Sequence, residues 1–153
     1  MTNPFPFAAG ATLTAAQLNE IGSFDTWTPT FLSVTAQPTI GLAAYAEVND
    51  IVFWMMYVQF DSGDLPLTGS LACSLPVNNS TVIQYQTFGQ CWWRPSGGTI
   101  YHGQNIAYNN NIYFYAYAHN TGSYTRIQNV NNTVPETWTT DGDFWAMGQY
   151  RSA

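Results

Sequence analysis

Ile112-Tyr113-Phe114-Tyr115-Ala116-Tyr117-Ala118 alternates without interruption. Successive side chains of an extended chain point to opposite faces, so Tyr113, Tyr115 and Tyr117 share one face while Ile112, Phe114 and the two alanines share the other. The stretch reads as a β-strand with an apolar face for a core and a tyrosine stripe that faces outward or meets a neighbour. A second stretch, Ile51-Val52-Phe53-Trp54-Met55-Met56-Tyr57-Val58, is apolar on both faces. In an antiparallel sheet that pattern puts one face in the core and calls for a cover on the other, which another chain can supply.

Working outward, β-branched and aromatic runs recur from Trp27 onward between Gly, Pro and Asn, and nothing there has helical spacing. Strands are expected at Thr28–Val34, Leu42–Val48, Ile51–Phe60, Gly69–Leu75, Thr81–Phe88, Gln90–Arg94, Thr99–His102, Gln104–Tyr108, Ile112–Ala118, Tyr124–Gln128 and Phe144–Tyr150. Their number and close spacing predict an all-β fold, an antiparallel two-sheet sandwich of jelly-roll-like type. Asn49-Asp50 reads as a two-residue hairpin turn and Asn109-Asn110-Asn111 as a three-residue one.

The N-terminal segment is different in kind. Pro4 and Pro6 flank Phe5 and precede Phe7, an extended arm with large apolar side chains to bury. Thr14 and Gln17 have capping-box spacing, Leu18 and Ile21 share a helical face, and Gly22 ends the helix. A helix of two turns is unstable alone in water, so it docks, either on its own domain or on another chain. The chain is thus expected to divide into an arm-and-helix attachment segment, 1–26, and a β-sandwich domain, 27–153, a single core being usual for 153 residues.

Composition narrows the function. Charged residues make up 8% of the chain, against about 25% in ordinary domains, while aromatics reach 16%. Arg94, Arg126 and Arg151 are the only Lys or Arg, set against nine carboxylates for a net charge of −6. This excludes nucleic acid as the expected partner, because such binding rests on cations neutralising phosphates. No run approaches the ~20 apolar residues of a membrane span, so neither membrane insertion nor a signal peptide is expected. Surfaces with so few charges and so many aromatics favour self-association, and a homo-oligomer is expected.

Candidate chemistry is sparse. Cys73 and Cys91 lack metal or redox spacing and read as buried thiols, although placement on neighbouring expected strands leaves a bridge open. Asp61 with Asp64 and Asp141 with Asp143 are the only close carboxylate pairs, each beside Gly in a short polar segment, and read as turns. His102 and His119 accompany no nucleophile motif and have no ligand spacing. No catalytic residue, cofactor or metal site is therefore expected, and the chain is not read as an enzyme. Trp92-Trp93-Arg94 places adjacent indoles on opposite faces of a strand, one for the core and one to stack on a sugar, on Arg94 or on a neighbouring subunit. Trp92, Trp93, Arg94, Tyr113, Tyr115 and Tyr117 are the candidate glycan or subunit contacts.

Four signals occur in a recognisable order: Trp27-Thr28-Pro29-Thr30; Tyr45-Ala46-Glu47-Val48-Asn49-Asp50-Ile51-Val52; Gly69-Ser70-Leu71-Ala72-Cys73-Ser74-Leu75-Pro76; and Phe144-Trp145-Ala146-Met147-Gly148-Gln149-Tyr150. Over most of the chain this order resembles the small β-sandwich domains of bacteriophage fibre, tail and head-decoration proteins. Asn49-Asp50 stands where that family usually has Gly or Gly-Lys. The stretch from Phe7 to Asn19, with Leu13-Thr14-Ala15-Ala16-Gln17-Leu18-Asn19, is similar to a leader that precedes the sandwich in such proteins. The resemblance implies a homotrimeric structural protein of the virion, a short fibre or decoration protein made in the host cytoplasm. Phe5, Phe7, Leu13, Leu18 and Ile21 would anchor it to other virion proteins, and its exposed aromatics are candidates for contact with a host glycan. The alternative is a free, lectin-like carbohydrate-binding module.

Overall fold

The computed structural model describes residues 23–48, 50–78, 86–95, 98–119, 125–138 and 141–153. The expected arm and helix, with Phe5, Phe7, Leu13, Leu18 and Ile21, lie outside these residues. The described chain is built of strands: β1 (Asp25–Thr26), β2 (Phe31–Leu32), β3 (Thr39–Val48), β4 (Ile51–Phe60), β5 (Ala72–Ser74), β6 (Gln86–Pro95), β7 (Tyr101–Tyr108), β8 (Asn111–His119), β9 (Thr125–Asn129) and β10 (Gly142–Arg151), with one 3₁₀ turn at Ser62–Asp64. No helix among the described residues is long and apolar enough to cross a membrane.

Hydrogen bonding joins the strands into one antiparallel sheet in the order β1-β3-β4-β10-β6-β7-β8-β5-β2, with β9 also paired to β8. The fold is therefore all-β as expected, but the pairing is continuous, and the sheet is curled into a half-barrel rather than divided into two separate sheets. The curl brings distant strands together. Phe31 on β2, at one end of the sheet, meets Phe60 on β4 near the other end, with ring centroids 5.7 Å apart and nearly perpendicular.

The alternation read from the sequence determines which side faces inward. On β4, Val52, Trp54, Met56, Val58 and Phe60 are buried, while Phe53, Met55 and Gln59 are exposed. On β8, Ile112, Phe114 and Ala116 are buried, and Tyr113, Tyr115 and Tyr117 face outward. Phe60 organises the core: Trp93, Trp138 and Phe144 all meet it edge to face, at 5.8, 5.6 and 6.3 Å. Such perpendicular packing matches the positive edge of one ring to the negative face of the next. Segments between strands complete the cluster, with Leu65, Leu67 and Leu71 from one and Val130 and Trp138 from another.

Two strand breaks expected at glycine do not occur. β6 runs through Gly89 and β7 through Gly103, because both glycines leave room for an inward-facing neighbour. A Cβ on Gly89 would stand 2.0 Å from Asn105 Oδ1, and one on Gly103 would stand 2.0 Å from the Tyr115 carbonyl oxygen. The buried Asn105 exploits the first gap: its Nδ2 donates to the carbonyls of Gln90 on β6 (3.1 Å) and Met147 on β10 (3.0 Å), tying three strands together.

The turns also differ in detail. Asn109 and Asn110 both have positive φ (48° and 59°), and Asn111 pairs with Tyr108, so this is a two-residue hairpin and Asn111 belongs to β8. That conformation is the one whose twist matches flanking strands, and Asn tolerates it better than most residues. Val48 pairs with Ile51, and Asp50 has φ 63°, in keeping with the expected two-residue turn there. Cys73 on β5 and Cys91 on β6 are free and buried, and β8 and β7 stand between their strands. They are not on neighbouring strands, so the geometry considered for a bridge does not arise. Burial pushes both thiols up, Cys91 to about 12.

Candidate functional site

The outward face of the three central strands carries two adjoining zones. Register creates the first. Trp145 on β10 lies opposite Tyr57 on β4 and Trp92 on β6, so three aromatic rings stand side by side across three strands. Trp145 stacks on Tyr57 (centroids 5.2 Å, 27° between planes) and on Trp92 (6.0 Å, 17°). One residue pair further along, Asp143 lies opposite Arg94, and the two form an ion pair. The Arg94 guanidinium lies over the Trp145 ring, 5.3 Å from its centroid. Tyr57 Oη donates to Asp143 Oδ1 at 2.8 Å.

These contacts hold Arg94 from two sides, by charge and by the ring beneath it, which restricts a side chain that would otherwise be free to move. Burial alone would raise the Asp143 carboxyl. The hydrogen bonds from Arg94 and Tyr57, together with the Arg94 charge, outweigh it and hold Asp143 below the ordinary carboxylate range. The Tyr57 hydroxyl is raised in turn, first by its hydrogen bond to Asp143 and then by burial and the carboxylate's charge.

Beside this cluster is an open cleft of about 520 Å³. Gln59, Asp61, Arg94, Asp141 and Asp143 are its polar lining residues, with Phe60, Pro95, Gly98 and Gly142 forming the rest of its described wall. Gly142 is required where it stands: a Cβ there would lie 2.4 Å from the Trp93 ring, which packs beneath. Asp64 accepts the Asp61 amide (2.9 Å), the local turn role expected of it, whereas Asp141 accepts the Ser62 amide (2.8 Å) from a segment distant in the chain. Asp143 departs from that expectation, since it sits on β10 and is the acid of an ion pair. Among the described residues no group of three or more His, Cys, Asp or Glu is arranged to hold a metal ion.

The second zone continues along the same strands. Phe53 and Met55 on β4, Met147 on β10 and Tyr117 on β8, with Phe24, line a groove of about 790 Å³. Its polar side chains are Gln90, Gln104 and Gln149, and among the described residues no charged one lines it. Phe53, Met147 and Tyr117 are each more than 40% exposed. The outward apolar side of β4, for which the sequence requires a cover, is thus left open by the described residues.

The expected contact residues separate accordingly. Trp93 belongs to the core, 2% exposed and stacked on Trp138 at 4.1 Å, so it is not available to a ligand. Trp92 and Arg94 lie in the outward cluster. Tyr113, Tyr115 and Tyr117 share the outward face, but β7 stands between their strand and β6, and of the three only Tyr117 lines the groove. Tyr57 and Trp145 are not marked as contact residues by the sequence, and Asp143 is marked there only as a turn carboxylate, because only the pairing of β10 between β4 and β6 brings the three together.

Comparison with known proteins finds no family model, no curated protein and no solved structure that matches the chain.

Proposed function

We propose that the chain is a structural component of a phage particle, a short trimeric fibre or decoration protein attached through its N-terminal arm. The observation that carries this reading is the uncharged groove formed by Phe24, Phe53, Met55, Met147 and Tyr117 on a chain of net charge −6. Interface centres are depleted of charge and enriched in aromatics and Met. Copies of an acidic protein meet at least electrostatic cost where neither presents a carboxylate. The residues shared with phage β-sandwich domains fit a packing role: Trp27 meets Trp54 edge to face, and the Tyr150 hydroxyl bonds the Val77 carbonyl at 2.6 Å. In this reading the half-barrel is a jelly-roll-like sandwich whose far strands, β8, β5 and β2, fold back over β4 and β10 as the second layer. Phe5, Phe7, Leu13, Leu18 and Ile21 anchor the arm to other virion proteins.

Light scattering of the purified chain tests the assembly. The expected mass is three times 17.0 kDa, about 51 kDa. A charge placed in the groove by Met55→Glu with Met147→Glu should yield folded monomers with an unchanged far-ultraviolet spectrum. A wild-type chain that stays monomeric at assembly concentrations removes the support for a virion component. The second reading, a free carbohydrate-binding module, is favoured by the polar cleft beside Arg94 and would then lead.

A further inference from the structure

The cleft beside the aromatic stack is not needed for assembly through the groove, and its chemistry differs. Its volume, about 520 Å³, falls within the range of small-ligand sites. Its polar groups are planar and of both kinds: Arg94 donates, the Asp61 and Asp141 carboxylates accept, and the Gln59 carboxamide does both. Paired donors and acceptors of this type suit vicinal hydroxyls, each of which donates one hydrogen bond and accepts others.

We propose that this cleft binds a neutral saccharide. An apolar ligand would strip water from the carboxylates and the guanidinium and satisfy none of the hydrogen-bonding capacity they keep beyond their pairing within the chain. An acidic sugar would meet three carboxylates against one guanidinium. Arg94 is already held by Asp143 and by the Trp145 ring, so ordering it on binding costs little of the side-chain freedom that an unrestrained arginine would lose. Asp141 is likewise fixed by the Ser62 amide. Gly98 leaves one wall open, since a side chain there would meet nothing within 4 Å. The rings of Tyr57 and Trp145 do not line the cleft; they act on it through Arg94 and Asp143, whose side chains they hold in place.

The test titrates the full chain with neutral trisaccharides of glucose, galactose, mannose and N-acetylglucosamine, and with trigalacturonate as the acidic counterpart. Binding is read by calorimetry and by indole fluorescence, because Trp145 lies under Arg94. At least one neutral trisaccharide should bind, trigalacturonate should bind it at least about tenfold more weakly, and Gln59→Ala or Asp61→Asn should weaken the neutral ligand by a similar factor. Both substitutions are at exposed positions, so retained thermal unfolding separates loss of the site from loss of the fold. The proposal fails if no neutral trisaccharide binds at about 10 mM, if trigalacturonate binds equally well, or if both folded variants bind as the wild type does. Light scattering keeps the two readings apart: a monomer that binds saccharide upholds this inference and removes the assembly reading, and a trimer that does not bind does the reverse.

Discussion

Trp138 is the residue whose removal should cost the fold most, although it belongs to no strand. It is 1% exposed, stacks on Trp93 at 4.1 Å and meets Phe60 edge to face at 5.6 Å. Its Nε1 donates to the Val134 carbonyl at 3.1 Å, which fixes the turn that carries it. Trp138→Ala removes a buried indole and leaves a cavity, a change that costs about 3–5 kcal/mol. Loss of the Nε1 bond adds about 1 kcal/mol at most, since the Val134 carbonyl keeps the Asn131 amide at 3.1 Å. A total near 5 kcal/mol is a large share of the 5–15 kcal/mol that holds an ordinary domain together. At roughly 2–4 °C per kcal/mol for a chain of this size, the melting temperature should fall by about 10–20 °C. Trp138→Phe keeps a ring on Trp93 and loses the Nε1 bond, so about 1–2 kcal/mol is expected. Trp145→Ala, on the outer face, loses two stacked neighbours worth about 0.5–1.5 kcal/mol each. Urea titration of the three variants at one protomer concentration gives the order Trp138→Ala, then the two milder changes. A loss under about 1 kcal/mol for Trp138→Ala would refute the view that residues 130–138 close the half-barrel.

Asn105→Leu should cost about 2–3 kcal/mol, because the Gln90 and Met147 carbonyls lose a buried donor; denaturant midpoints within experimental error of wild type would show that Asn105 does not tie β7 to β10. Asp143→Asn should weaken the fold at pH 7 and progressively less as pH falls below the ordinary carboxylate range. The folded carboxyl is held below its ordinary value, so its contribution is present above the unfolded value and lost as pH falls through the folded one. Arg94 is half exposed, which limits the effect to about 1 kcal/mol, and a deficit that stays constant from pH 7 to 2.5 would contradict the charge argument. Cys91, pushed up to about 12 by burial, should have on the order of one thiolate in ten thousand at pH 8. A thiol reagent should therefore label neither cysteine until urea is added, and labelling of the native chain would place a cysteine nearer the surface.

What was legible in the sequence was what depends on near neighbours. The alternation from Ile112 to Ala118 specifies the faces of β8, and the doubly apolar run from Ile51 to Val58 specifies both the buried and the uncovered face of β4. What was not legible depends on partners distant in the chain. Nothing local in Phe144–Tyr150 says that it inserts between β4 and β6, yet that insertion joins the halves of the sheet and builds the stack of Tyr57, Trp145 and Trp92. Trp138 was overlooked for a related reason, since Asn131, Asn132, Thr133 and Pro135 around it carry the composition of a surface turn.

Glycine shows most clearly why local rules fail here. Gly89 and Gly103 were read as strand ends because glycine is a poor strand former. Both lie inside strands, and what they supply is the absence of a Cβ on the inward side. At Gly89 that absence lets Asn105 reach across β6 to β10, and at Gly103 it lets β7 approach β8 beside the Cys91 sulfur. Gly142 does the same at the cleft, where the Trp93 ring takes the place of a side chain. The core and the outward site are coupled there: a residue larger than glycine at 142 has to displace Trp93, and with it the ring stacked on Trp138. Change at the wall of the cleft is therefore felt in the packing that closes the half-barrel, so the lining can vary at the exposed Gln59 and Asp61 far more freely than at Gly142.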